Sequence, residues 1–129
     1  MRTGSKTNTH APKNYTKNSV AYTSTHDTNT VCGWFTTEAN AKQRRALLKL
    51  IGHPVSKNAV SFEAIKLVSS SLADLCILPI QDVLGLGPQT RMNNPSHLKD
   101  NWQWRVTKKQ LTNMRIDELH DITVTVNRA

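Results

Sequence analysis

The chain has only two cysteines, Cys32 and Cys76, and neither sits in a Cys-x-x-Cys or Cys/His ligand spacing. That removes a disulfide framework and a zinc site as organising elements. They read as two partly buried free thiols of a cytosolic protein. No apolar run approaches the ~20 residues of a membrane span. Residues 1–15 are polar and lack the apolar stretch of a secretory signal, so export is not indicated. Acidic residues are scarce, 9 against 17 Lys and Arg, and none precedes Asp27.

The resulting net charge of +8 could serve nucleic acid or an anionic membrane surface. Its distribution argues against both. Lys6, Lys13 and Lys17 lie near the front, and Lys108 and Lys109 far behind. The densest group, Lys42, Arg44, Arg45 and Lys49, recurs at helical spacing with apolar partners, as on a solvated helix face. No nucleic-acid or membrane partner is expected; a basic nucleic-acid module remains the weakest of three readings, and steep salt dependence would mark it.

What is present is one domain's worth of chain, 129 residues of ordinary composition. Residues 1–18 lack apolar periodicity and read as a disordered or loosely draped leader; residues 19–129 form the folded part. Residues 19–23 favour strand and run into a polar loop. Thr36 or Thr37, followed by Glu38, is expected to cap a helix that Gly52 and Pro54 end. Ser61 is a candidate cap for a second amphipathic helix reaching about residue 71. Residues 75–78 are continuously apolar, which suits a strand buried on both faces of a parallel sheet. Gly85, Gly87 and Pro88 then make a loop. The segment 110–126 holds a final helix, although residues 122–126 favour strand by propensity. The order is an α/β pattern of one βαβ unit plus a helix. In such a unit functional loops follow the carboxyl ends of strands, where both motif-bearing loops fall.

The first loop carries His26 and Asp27. A carboxylate there can hold sugar hydroxyls by charge-assisted hydrogen bonds and stabilise an oxocarbenium-like transition state. Taken alone, an Asp after a strand more often caps a turn. The second loop carries Gln81 and Asp82, which are either active-site groups or, as the chemistry favours, supports that tie the strand end and glycine-rich loop to backbone. Its glycines lack the spacing of a phosphate loop. Asn93 precedes Asn94 and Pro95, a common turn, yet its amide could pair with a hydroxyl as donor and acceptor. Trp102 and Trp104 lie two apart, so a strand would place both on one face and pack them into the core.

Together these segments resemble the 4-alpha-glucanotransferases (amylomaltases, glycoside hydrolase family 77). Tyr22, Thr23, Thr25, His26, Asp27, Thr30, Gly33 and Trp34 match the form Tyr-Thr-Gly-Thr-His-Asp-Asn-Asp-Thr with its following Gly-Trp. Residues 79–87 nearly repeat Pro-Leu-Gln-Asp-Val-Leu-Gly-Leu-Gly, and Arg91, Met92, Asn93 and Pro95 match Arg-Met-Asn-x-Pro. The resemblance implies a C-terminal sector, the last two β/α units, of a (β/α)₈ TIM barrel, an incomplete barrel because a whole one takes roughly 250 residues. It implies transfer of α-1,4-glucan segments to a glucan 4-hydroxyl, in the cytoplasm or a plastid, with no cofactor and no metal. Asp27 falls on the transition-state stabiliser, and His26 and Asn93 on sugar-binding positions.

Ser24 departs from that pattern, standing for Gly, as do Thr28 and Asn29, standing for Asn and Asp, and Ser96 and Asp100, which replace glycines. The nucleophile and acid/base carboxylates of the retaining mechanism belong to earlier strands, and no carboxylate here lies in a matching context. The isolated chain is therefore expected to be inactive and to fold poorly unless a complementary barrel segment joins it. The alternative is a non-catalytic carbohydrate-binding remnant that uses Asp27, His26, Asn93 and the tryptophans.

Overall fold

A computed structural model describes residues 11–112 and 115–128. Two short parallel strands, β1 (Val20–Tyr22) and β2 (Leu75–Ile77), pair in the register Val20 to Leu75, Ala21 to Cys76 and Tyr22 to Ile77. Between them run α1 (Val31–Gly33), which continues as a π-helical turn over Trp34–Glu38, then α2 (Ala41–Ile51) and α3 (Val60–Ser69). After β2 come α4 (Ile80–Val83), a 3₁₀ turn at Pro88–Thr90, α5 (Lys108–Thr112) and α6 (Ile116–Thr125).

Helix α3 is the organising element. Val60 and Ala64 pack with Val31 and Leu47; Phe62 and Ile65 pack with Val83 and Ile122; Val68 packs with Ala21 and Ala73. A helix apolar on several sides must be surrounded, and this one is. Arg128 closes its C-terminal end, donating from Nε to the Ser69 carbonyl at 2.7 Å and from Nη2 to the Ser71 carbonyl at 2.9 Å. The end of the segment 110–126 forms helix α6, not strand, because Leu119 and Ile122 share a face that meets Phe62, Ile65 and Val83.

Five expectations need correction. The helix after Trp34 is not capped by Thr36 or Thr37. Their hydroxyls instead bond back to the Cys32 and Gly33 carbonyls at 2.8 and 2.7 Å, inside the π turn. Asn40 caps α2, in a reciprocal capping box with Gln43. The stop at Gly52 is as expected, with φ of 89°. Ser61 is not a cap but lies in the first turn of α3, its hydroxyl donating to the Asp82 carbonyl at 2.7 Å. Strand β2 is buried on one face only. Alternation puts Ala21 and Cys76 against α3, while Val20, Tyr22, Leu75 and Ile77 are 42–52% exposed on the other side.

The leader reading also changes where it can be seen. Residues 1–10 lie outside the described residues, but Ala11 and Pro12 are buried and Tyr15 packs beside Ala21 and Val68. The fifth correction concerns the tryptophans. Residues 101–107 form neither strand nor helix, and Trp102 is 53% exposed with a φ of 63°.

Candidate functional site

Because β1 and β2 are parallel, the loops that follow Tyr22 and Ile77 emerge at the same end of the sheet. Asp82 fastens them together. Its carboxylate is wholly buried and accepts from the Thr23 and Ser24 hydroxyls, each at 2.6 Å, and from the Val31 N–H at 2.9 Å. Among the described residues no cation forms an ion pair with it; three donors satisfy the oxygens instead. The Thr30 hydroxyl adds a bond to the Leu86 carbonyl at 2.8 Å. Gln81, also buried, donates to the Thr90 carbonyl at 3.2 Å and so holds the glycine-rich loop against the 3₁₀ turn.

On this frame Asp27 and Asn93 meet. The Asn93 side-chain amide donates to Asp27 Oδ1 at 2.6 Å, and the Asn93 backbone N–H donates to the His26 carbonyl at 3.0 Å. His26 Nε2 lies 3.3 Å from the other carboxylate oxygen, Asp27 Oδ2. Both side chains are at least half exposed, so this contact adds little stability and leaves the groups available. The Trp102 ring leans on His26, the two ring centroids 5.4 Å apart and the planes 35° from parallel. Asn101 folds the last loop back, accepting from the Asn94 N–H at 2.8 Å and donating to the His97 carbonyl at 2.8 Å.

A pocket of about 100 Å³ opens beside this cluster, lined by Ser24, Thr25, His26, Gln81, Arg91 and Met92 among others. Asp27 and Asn93 are outside its lining. The surface is polar, with a carboxylate, an imidazole, an amide and an exposed indole: the donors, acceptors and flat apolar face that a polyhydroxylated ring needs. Among the described residues no three His, Cys, Asp or Glu side chains gather as metal ligands, and no helix is long and apolar enough to cross a membrane.

The residues singled out in the sequence thus fall into two groups. His26, Asp27 and Asn93 converge at the surface, and Gln81 and Asp82 lie beneath as supports. Sequence reasoning missed Thr23 and Ser24 as Asp82 partners, Trp102 as a neighbour of His26, and Arg91. The Arg91 side chain crosses between the loops. Each lies inside or next to a matched motif, which was the available signal.

The 4-alpha-glucanotransferase family model matches residues 1–112. A 4-alpha-glucanotransferase of Clostridium butyricum is 35% identical over 93% of this chain and 24% of its own length. One from Synechocystis is 40% identical over 87% of this chain and 22% of its own. Among solved structures, an amylomaltase from Streptococcus agalactiae in complex with acarbose superposes with a TM-score of 0.85 at 29% identity, over 94% of this chain and 24% of that one. The chain belongs to the 4-alpha-glucanotransferase family and spans about a quarter of the length of these relatives.

Proposed function

We propose that this chain forms the last two β/α units of a (β/α)₈ barrel and contributes one part of a 4-alpha-glucanotransferase active site. The exposed face of the sheet supports the first half of this reading. In a closed barrel the strand residues opposite the outer helices fill the interior in layers. Val20, Tyr22, Leu75 and Ile77 have that position relative to α3, and they are the residues left bare. A complementary barrel segment would cover them.

The second half rests on the contact between Asp27 and Asn93. In a retaining transfer, a nucleophilic carboxylate attacks the anomeric carbon of the donor glucan while an acid protonates the departing oxygen. Positive charge develops on the ring as the bond breaks. The Asp27 carboxylate, aimed by the Asn93 amide, would oppose that charge and bond a ring hydroxyl. His26 and the second hydrogen of the Asn93 amide would hold neighbouring hydroxyls. The nucleophile and acid/base would come from the rest of the barrel, so the substrates would be α-1,4-glucans and the isolated chain would bind but not turn over. The work would take place in the cytoplasm or, as the name of the potato relative indicates for that protein, a plastid.

Purified chain should fail to disproportionate maltotriose. Titration with maltoheptaose or acarbose should change tryptophan fluorescence, since Trp102 is exposed beside His26. The change should vanish in Asp27→Ala. Turnover by the chain alone that is lost in Asp27→Asn would overturn the division of labour, and a flat titration would remove the binding role.

A further inference from the structure

Arg91 joins the two motif loops through three of its nitrogens. Nη2 donates to the Asp27 carbonyl at 2.7 Å, Nε donates to the Asn93 carbonyl at 2.8 Å, and Nη1 reaches Glu38 Oε1 at 3.4 Å. One guanidinium therefore grips the backbone of the residue that carries the carboxylate and the backbone of the residue that carries the amide. Those two side chains meet at 2.6 Å. Glu38 is held in turn, because its Oε1 also accepts from the buried Asn29 amide at 2.8 Å.

The guanidinium is suited to this because its donors lie in one plane at fixed angles, whereas an ammonium is a point charge on a flexible stem. The Arg91 side chain is only 21% exposed, so its bonds to the two carbonyls compete weakly with water. Placement of a charge-stabilising carboxylate matters: a displacement of about 1 Å can cost on the order of 10²-fold in rate.

We propose that Arg91 is a positioning residue, which fixes the Asp27 carboxylate against the Asn93 amide with Glu38 and Asn29 as its backing. The purpose of this positioning rests on the function proposed above, but the positioning is measurable without turnover. Hydrogen exchange and ¹⁵N spectra of the chain read it directly. In the wild type the Asn93 backbone N–H, bonded to the His26 carbonyl, is protected, and the Asn93 side-chain amide is shifted by its carboxylate partner.

Arg91→Lys and Arg91→Gln should each lower Asn93 protection by about tenfold or more and return its side-chain resonances to free values. The α3 amides of Ile65 and Val68 should keep their protection, which a general loss of stability would not allow. Lysine should not rescue, because it lacks the fork. Unchanged Asn93 protection in both variants, or full rescue by lysine, overturns the proposal. Should an Arg91 variant fail to fold, Glu38→Gln decides. Releasing Nη1 should lower Asn93 protection severalfold, and unchanged protection overturns the proposal. The two readings separate cleanly. Wild type that binds no maltoheptaose, with Arg91 variants that lose Asn93 protection, removes the function and keeps the positioning. Binding with unaltered protection does the reverse.

Discussion

The Ser24 hydroxyl donates to Asp82 Oδ2 at 2.6 Å, beside the Thr23 hydroxyl at the same distance from the same oxygen. Ser24 stands where the family motif has glycine, a residue whose backbone freedom some turns need. This turn does not. Among the described residues, non-glycine positive φ occurs at Asp100, Trp102 and Asn127, and not at Ser24. The substitution instead supplies one more donor to a buried carboxylate, so the first loop of this chain is tied more firmly to the second.

This gives a graded prediction. Asp82→Ala strands the Val31 N–H and two hydroxyls and should cost about 3 kcal/mol or more. Ser24→Gly removes one of three donors and should cost only about 1 kcal/mol. In the Asp82→Ala background the Ser24→Gly cost should nearly disappear, because the acceptor is gone. Urea unfolding of the four proteins in the cycle measures all three values.

Gly33 is required by packing rather than by its backbone angle. A methyl group there would stand 2.0 Å from Asn29 Oδ1. Asn29 cannot easily move, since it is buried and its amide donates to Glu38. Gly33→Ala should therefore destabilise by roughly 1–3 kcal/mol. Pairing it with Asn29→Gly, which empties the space, should recover part of that loss in thermal melts.

The bare side of the sheet should make the chain associate. Val20, Tyr22, Leu75 and Ile77 are contiguous, apolar and exposed next to two strand edges. Sedimentation velocity should show concentration-dependent association at low micromolar protein. Tyr22→Lys with Ile77→Lys should reduce it without altering the α3 core, because neither side chain packs there. The same pair should abolish binding of a complementary barrel segment.

Cys32 is buried and Cys76 partly so, and desolvation is the leading cause that lifts both thiols above the ordinary value of 9.0, with Asp82 adding to it at Cys32 and nearby cations opposing it at both. Tyr15 is raised for the same leading reason. A group whose folded value is raised gives stability that is intact below its unfolded value and fades as pH climbs through the folded one. Stability should thus be level from neutral pH to about 8.5 and fall beyond it. Iodoacetamide at pH 8 should label both cysteines far more slowly than in urea-unfolded chain. Equal rates would show that the thiols are not shielded.

Much of the local design is written in the chain. The strands at 20–22 and 75–77, the stop at Gly52 and the placement of His26, Asp27 and Asn93 in loops at one end follow from periodicity, turn chemistry and motif context. The bonds of Gln81 and Asp82 were legible only in part: Gln81 does reach a backbone carbonyl, whereas Asp82 accepts mainly from two hydroxyls of the other loop. The caps were misread because Thr36, Thr37 and Asn40 all have capping chemistry, and only the extra residue of the π turn decides which one faces the helix.

Sequence alone determined which residues could do chemistry and at which end of the strands they would gather, because those facts depend on neighbours within a few positions. Tertiary structure decided the rest: that Trp102 leans on His26 instead of entering the core, that Arg91 spans to Asp27 and Arg128 to Ser69, and that the sheet is covered on one face only. These contacts join residues more than fifty positions apart. Such contacts depend on how whole elements pack against α3, which no local pattern encodes.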